Sequence, residues 1–103
     1  MSTVEAARQQ WEEGSRRLES YSSEPEVYIR LVNQLEVATE ELRKRMGEHF
    51  TLAQLADAYS VSDHWLHAAV EERIDVPGWE RQLSLVQDAA FHKYARGATD
   101  YSP

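Results

Sequence analysis

The strongest constraint in this chain is a spacing of apolar residues by three and four positions, broken at intervals by proline, glycine and serine. Residues three or four apart lie on one face of an α-helix. The first stripe is formed by Val4, Ala7, Trp11, Leu18 and Tyr21, and the second by Tyr28, Leu31, Leu35, Ala38, Leu42 and Met46. Ser22–Pro25 separates them, so the chain opens with two predicted amphipathic helices.

The same spacing continues to the C-terminal part of the chain, and no alternating strand pattern occurs. Thr51 and Gln54 predict a capping box, and Pro77 with Gly78 predicts a turn. We therefore predict an all-α fold of about five helices: a long N-terminal antiparallel hairpin, two short helices and a C-terminal helix. The predicted helices cover residues 3–22, 25–46, 51–60, 62–73 and 78–96 of a single domain over 1–97, and residues 98–103 are predicted to be an extended or frayed tail.

Gly14 occupies a step of the first stripe where an apolar side chain is expected. Glycine weakens a helix by about 1 kcal/mol relative to alanine. Its presence indicates either a close approach of another backbone or a bend, and the spacing alone leaves both open.

Composition limits the partners of the chain. Its 103 residues are 42% hydrophobic and 28% charged, which suits one globular domain. The absence of cysteine excludes disulfides and fits a cytoplasmic location, and no apolar run has the length of a signal-peptide core or a membrane span. The net charge of −7 disfavours nucleic acid and anionic membranes as partners.

Residues 51–70 resemble the helix-turn-helix superfamily at the positions that pack its two helices together. Leu55 and Ala56 match the inner positions of the first helix, and Leu66 and Val70 match those of the second. This resemblance implies a DNA-reading second helix. The Arg-, Glu- and Ala-rich helices also resemble those of small bacterial proteins, including actinobacterial ones, but that likeness assigns no residue a role.

The chain departs from the helix-turn-helix pattern in two ways. Ser60 stands where the superfamily usually has glycine, which requires a left-handed residue or a different turn. The outward face of the second helix would present acids and histidines, whereas DNA readers present Arg, Lys, Asn or Gln. Between Thr51 and Arg73 the basic residue is Arg73, and the acidic ones are Asp57, Asp63, Glu71 and Glu72.

Three interpretations of this segment stay open: ordinary packing of two short helices, a scaffold for protein binding, and a DNA-binding repressor. Protein binding would use an exposed tryptophan beside acids and histidines, a composition common at interaction hot spots. The predicted partner-binding residues are Asp63, His64, Trp65, His67 and Glu71.

A metal site is a further alternative, because His64, His67 and Glu71 are spaced by three and four residues on one helix face. Surface positions without a ligand are the commoner explanation, and we predict no resident metal or cofactor.

The sequence contains no phosphate-binding glycine loop, nucleophile elbow or cysteine. We therefore expect a non-enzymatic protein-interaction module, acting in transcription through a protein partner. DNA-binding and metal-binding proteins are the alternatives, and a homodimer through the long helices is left open.

Overall fold

Five α-helices and one 3₁₀ helix make up the part of the chain that the structure, a computed structural model, describes: residues 3–73 and 82–102. The elements are α1 (Thr3–Glu19), a 3₁₀ helix (Ser20–Ser23), α2 (Pro25–Met46), α3 (Leu52–Ser60), α4 (Ser62–Arg73) and α5 (Leu83–Ala95). No strand occurs in these ranges, and the prediction of an all-α fold with about five helices is confirmed. The predicted turn at Pro77–Gly78 and the start of the fifth helix at residue 78 lie outside the described residues.

Local sequence signals explain where the helices begin and end. Pro25 starts α2, where its missing N–H has no partner to lose. Gly47 follows α2 with φ +70°, and its N–H donates to the carbonyl of Arg43 at 2.9 Å. Thr51 and Gln54 form the predicted reciprocal capping box at the start of α3. These boundaries follow from backbone chemistry within a few residues.

Helix α5 is the centre of the fold. It packs against both α1 and α2, whereas α1 and α2 contact each other only slightly. The two helices of the predicted hairpin therefore pack mainly on α5 rather than on each other. The reason is that α5 is buried on more than one face, including Leu85, Phe91 and Ala95, and so offers apolar surface to both long helices.

Gly14 provides the close approach of α1 to α5. A Cβ atom built on Gly14 would lie 2.2 Å from the Cβ of Asp88 and 3.1 Å from the backbone of Leu85 and Ala89. Real carbon atoms do not approach so closely, so the two backbones can pack at this distance only because residue 14 is glycine. Of the two interpretations of this glycine, the structure supports the close contact.

The C-terminal segment is docked rather than frayed over residues 98–102, which corrects that part of the predicted tail; residue 103 lies outside the described residues. Ala98 is buried, and the N–H of Thr99 donates to the carbonyl of Phe50 at 2.9 Å. The carboxylate of Asp100 accepts a 2.8 Å hydrogen bond from the N–H of Leu52, in the first turn of α3. The segment therefore caps a helix that lies about 50 residues earlier in the chain.

We expect Asp100→Ala to lower the free energy of unfolding by about 1 kcal/mol, because it removes a carboxylate acceptor from a helix N-terminus. Urea denaturation followed by circular dichroism measures the loss. Ser102→Ala is the control, since Ser102 takes part through its backbone carbonyl, which accepts from Arg8. Equal stability of the two variants would contradict capping by the tail.

Candidate interaction surface

The α3–α4 pair forms the scaffold of the candidate surface. The four apolar residues predicted to lie on the inner face of this pair are all buried: Leu55, Ala56, Leu66 and Val70. The turn differs from the helix-turn-helix pattern. Among the described residues only Gly47 has a positive φ, so Ser60 is not left-handed; Val61, with φ −119° and ψ 11°, connects the helices instead.

Three of the five predicted partner-binding residues lie on the open surface. Asp63, His64 and Glu71 are exposed on α4, and Glu72 is exposed beside them. We call Asp63, His64, Glu71 and Glu72 the acidic α4 face. The other two predicted residues, Trp65 and His67, are half-buried and make contacts within the protein.

The imidazole of His67 belongs to a polar network between α4 and α5. Its Nε2 contacts the side-chain oxygen of Gln87, and the Gln87 amide donates to the hydroxyl of Ser62. Ser62 in turn donates to the carbonyl of Tyr59 at 2.8 Å, while Asp63 lies 3.3 Å from His67 Nε2. Ser62 and Gln87 are buried, so the network fixes the side chain of His67 at the edge of the core.

The indole ring of Trp65 is covered by α2 instead of standing free. The guanidinium of Arg45 lies 4.5 Å from the ring centroid, within the range of a cation–π contact. Trp65 also packs against the hydrophobic core. The prediction of an exposed tryptophan is therefore only partly right. The side chain of Trp65 is half-buried, and the guanidinium of Arg45 lies over its ring.

A salt-bridge pair joins the end of α4 to α2. Arg73 donates to Glu40 at 3.1 Å and to Glu41 at 3.2 Å. The hydrogen bond and charge of Arg73 lower the pKa of Glu40, and the same contact raises the pKa of Arg73. Because these groups are exposed, the pair contributes little to stability, but it neutralises the basic residue of α4.

Lys44 of α2 is paired with the same two carboxylates that bind Arg73 of α4. The Nζ atom of Lys44 lies 3.3 Å from a carboxylate oxygen of Glu41 and 3.9 Å from one of Glu40, so its charge is offset by these two acids. Arg45 of α2 also reaches α4, through its contact with Trp65. The exposed carboxylates of the acidic α4 face are those of Asp63, Glu71 and Glu72, and like charges of this kind disfavour contact with a phosphate backbone.

The histidine-based metal hypothesis finds no geometric support. Among residues 3–73 and 82–102, no three His, Asp or Glu side chains converge at a point where they could hold a metal ion. The Nε2 atom of His67 contacts Gln87 and lies 3.3 Å from Asp63.

Sequence reasoning missed Arg45, Ser62 and Gln87 as members of this region. Gln87 gave a weak signal, since it is a polar residue among the apolar residues of α5. Their roles depend on contacts between helices, which spacing within one helix does not report.

A second polar pair lies next to the contact between α1 and α5. The hydroxyl of Tyr59 donates to Asp88 at 2.5 Å. Burial raises the pKa of the Asp88 carboxyl, although the Tyr59 hydrogen bond and the charge of Arg17 act in the opposite direction. Burial and the same hydrogen bond raise the pKa of Tyr59.

The raised pKa of Asp88 predicts a pH dependence of stability. A proton binds Asp88 more tightly in the folded state, so its contribution is full below the ordinary carboxyl pKa of about 3.9 and is lost as pH rises through the raised value. We expect wild type to lose stability relative to Asp88→Asn across that window. Urea denaturation of both proteins between about pH 3 and about pH 7 measures the difference. A difference that stays constant with pH would contradict the raised pKa.

Comparison with known proteins finds no relative: no protein-family model, curated protein or solved structure matches the chain. Within the described residues, no helix is both long and apolar enough to cross a membrane. The class that the fold defines is therefore an all-α protein of about five helices.

Proposed function

We propose that this protein is a non-enzymatic interaction module that binds a partner protein through the acidic α4 face. The observation that carries the proposal is the exposure of Asp63, His64 and Glu71 on a helix whose basic residue, Arg73, is already paired with Glu40 and Glu41. The partner would present lysines or arginines to this face. A role in transcription would be exercised through that partner.

Charge favours a protein partner over DNA for this face. Sequence-specific DNA binding requires donors to base edges and cations for the phosphates. Asp63 and Glu71 supply neither, and His64 supplies at most one donor or cation. A basic protein surface gains attraction from the same residues, and charge complementarity of this kind mainly sets the association rate and specificity.

Site-specific photo-crosslinking in the native cell tests the proposal. A photoreactive amino acid replaces His64 in one variant and Gln10, an exposed residue of α1, in the control. We expect one dominant protein adduct from position 64 and none of that mass from position 10. Identical adducts from both positions, or none from position 64, would overturn the proposal.

A matched charge reversal separates the acidic α4 face from net charge. Asp63→Lys/Glu71→Lys should abolish the adduct, whereas Glu24→Lys/Glu26→Lys changes the net charge equally at the exposed start of α2 and should retain it. Loss of the adduct in both variants would indicate a general charge effect.

Duplex DNA provides the opposing test. We expect no change in the fluorescence anisotropy of a labelled duplex of mixed sequence on addition of the protein, even at low salt. Binding that weakens steeply with added salt would favour the DNA-binding alternative, because such a slope reports displaced counterions.

A further inference from the structure

The side chain of Trp11 carries a buried hydrogen-bond donor in the centre of the contact between α1 and α5. Trp11 is 1% exposed, and its indole Nε1 has no acceptor among the described residues. Buried N–H groups are nearly always bonded to protein or to ordered water, because an unpaired one forfeits the hydrogen bond it makes in the unfolded chain. The donor therefore calls for an acceptor that residues 3–73 and 82–102 do not supply.

A small, partly enclosed cavity of about 20 Å³ borders this tryptophan. Arg8, Trp11, Glu12, His92, Ala95 and Tyr101 line it. One water needs about 10–15 Å³ of such space and two to four polar partners. The volume thus admits a single water and excludes an organic ligand.

His92 and Glu12 provide polar partners on the cavity wall. Burial, followed by the charge of Arg96, lowers the pKa of His92, so the ring is held neutral near physiological pH. Arg96 lies 3.4 Å from His92 Nε2 and can only donate, which makes Nε2 the acceptor and leaves the proton on Nδ1. The carboxylate of Glu12 accepts. A water in the cavity can therefore accept a hydrogen bond from an N–H group on one wall and donate one to the Glu12 carboxylate on another.

The C-terminal tail closes the cavity. Arg8 stacks on the ring of Tyr101, with its guanidinium carbon 5.5 Å from the ring centroid, and also donates to the carbonyl of Ser102 at 2.9 Å. These contacts hold Tyr101 against α1.

We propose that this cavity is a specific site for one long-lived structural water, which accepts from the Trp11 indole and bridges it to Glu12 and His92. The site is independent of the acidic α4 face. At this site the docked tail covers the water, which lies in the contact between α1 and α5.

Nuclear Overhauser spectroscopy of the full chain in water tests the site. We expect a cross-peak between the Trp11 indole proton and water, with the negative sign of a water bound for longer than the tumbling time of the protein. Absence of this cross-peak in wild type would overturn the proposal.

Two tyrosine variants in the docked tail sharpen the test. Tyr101→Phe removes a hydroxyl whose exchange could relay the signal, and the cross-peak should persist; its loss would overturn the proposal. Tyr101→Ala opens the cavity, so the negative cross-peak should disappear. Tyr21→Ala removes a partly buried tyrosine elsewhere and should leave it intact. A negative cross-peak unchanged in Tyr101→Ala would contradict an enclosed site under the tail.

Discussion

Phe91→Ala is expected to lower the free energy of unfolding by about 3–5 kcal/mol, the usual loss for a large aromatic side chain removed from a core. Phe91 is fully buried on α5. Its ring stacks on Trp11, with centroids 5.6 Å apart, and meets the edge of Tyr59 at 5.0 Å. The substitution therefore leaves a cavity where α1, α3 and α5 meet.

Urea denaturation followed by circular dichroism measures this effect. Such a loss is a large share of the total stability of about 5–15 kcal/mol that domains usually have. Phe91→Leu keeps most of the volume and should lose less, which keeps the comparison measurable if the alanine variant is largely unfolded. Ile29→Ala is the surface control, because Ile29 is 60% exposed. Equal losses at Phe91 and Ile29 would contradict an α5-centred core.

Gly14→Ala is the second large effect, and its expected sign is opposite to the one that helix propensity predicts. Propensity alone would stabilise α1 by about 1 kcal/mol. The added Cβ would instead lie 2.2 Å from the Cβ of Asp88, within the backbone contact of α1 and α5. We expect a net loss of about 1–3 kcal/mol, the range typical of overpacking, because the two helices must move apart.

A matched glycine is available as the control for this experiment. Among the described residues, the nearest atom to a Cβ at Gly97 would be the carbonyl oxygen of Tyr94 at 3.5 Å, which is an ordinary contact. Gly97→Ala should therefore change the free energy of unfolding by less than about 0.5 kcal/mol. A stabilised Gly14→Ala protein would show that α1 and α5 do not pack as closely as described.

The two proposals divide the molecule into separately testable parts. The acidic α4 face lies on exposed side chains, so its charge reversals should leave folding intact. The hydration site lies between α1, α5 and the tail, and its variants should leave binding at α4 unchanged. Loss of partner binding in Tyr101→Phe would show that the two regions are coupled.

The sequence by itself determined the helices and most of their boundaries. Pro25, Gly47 and the Thr51–Gln54 capping box act through backbone groups a few residues away, so their effects can be worked out without a partner helix. Spacing also identified the inner face of α3 and α4, because residues three or four apart share a face wherever the helix is placed. Leu55 and Leu66 are buried accordingly.

The candidate site was only partly predictable for a related reason. Helix periodicity placed Asp63, His64 and Glu71 on an outward face, where the structure has them exposed. It could not show that Arg45 covers Trp65 or that His67 reaches Gln87, since both contacts join segments about 20 residues apart. How far a partly apolar side chain is exposed depends on which residues of other helices pack against it. The sequence of one helix does not specify those residues.

Tertiary structure alone decided which apolar stripes meet. The stripes of α1 and α2 were compatible with a hairpin, but α5 contacts both helices and reduces their direct contact. The fit of Gly14 against Asp88 and the capping of Leu52 by Asp100 were decided at the same level. The physical reason is that burial is non-directional: any stripe can cover any other, and close packing between distant segments selects one arrangement.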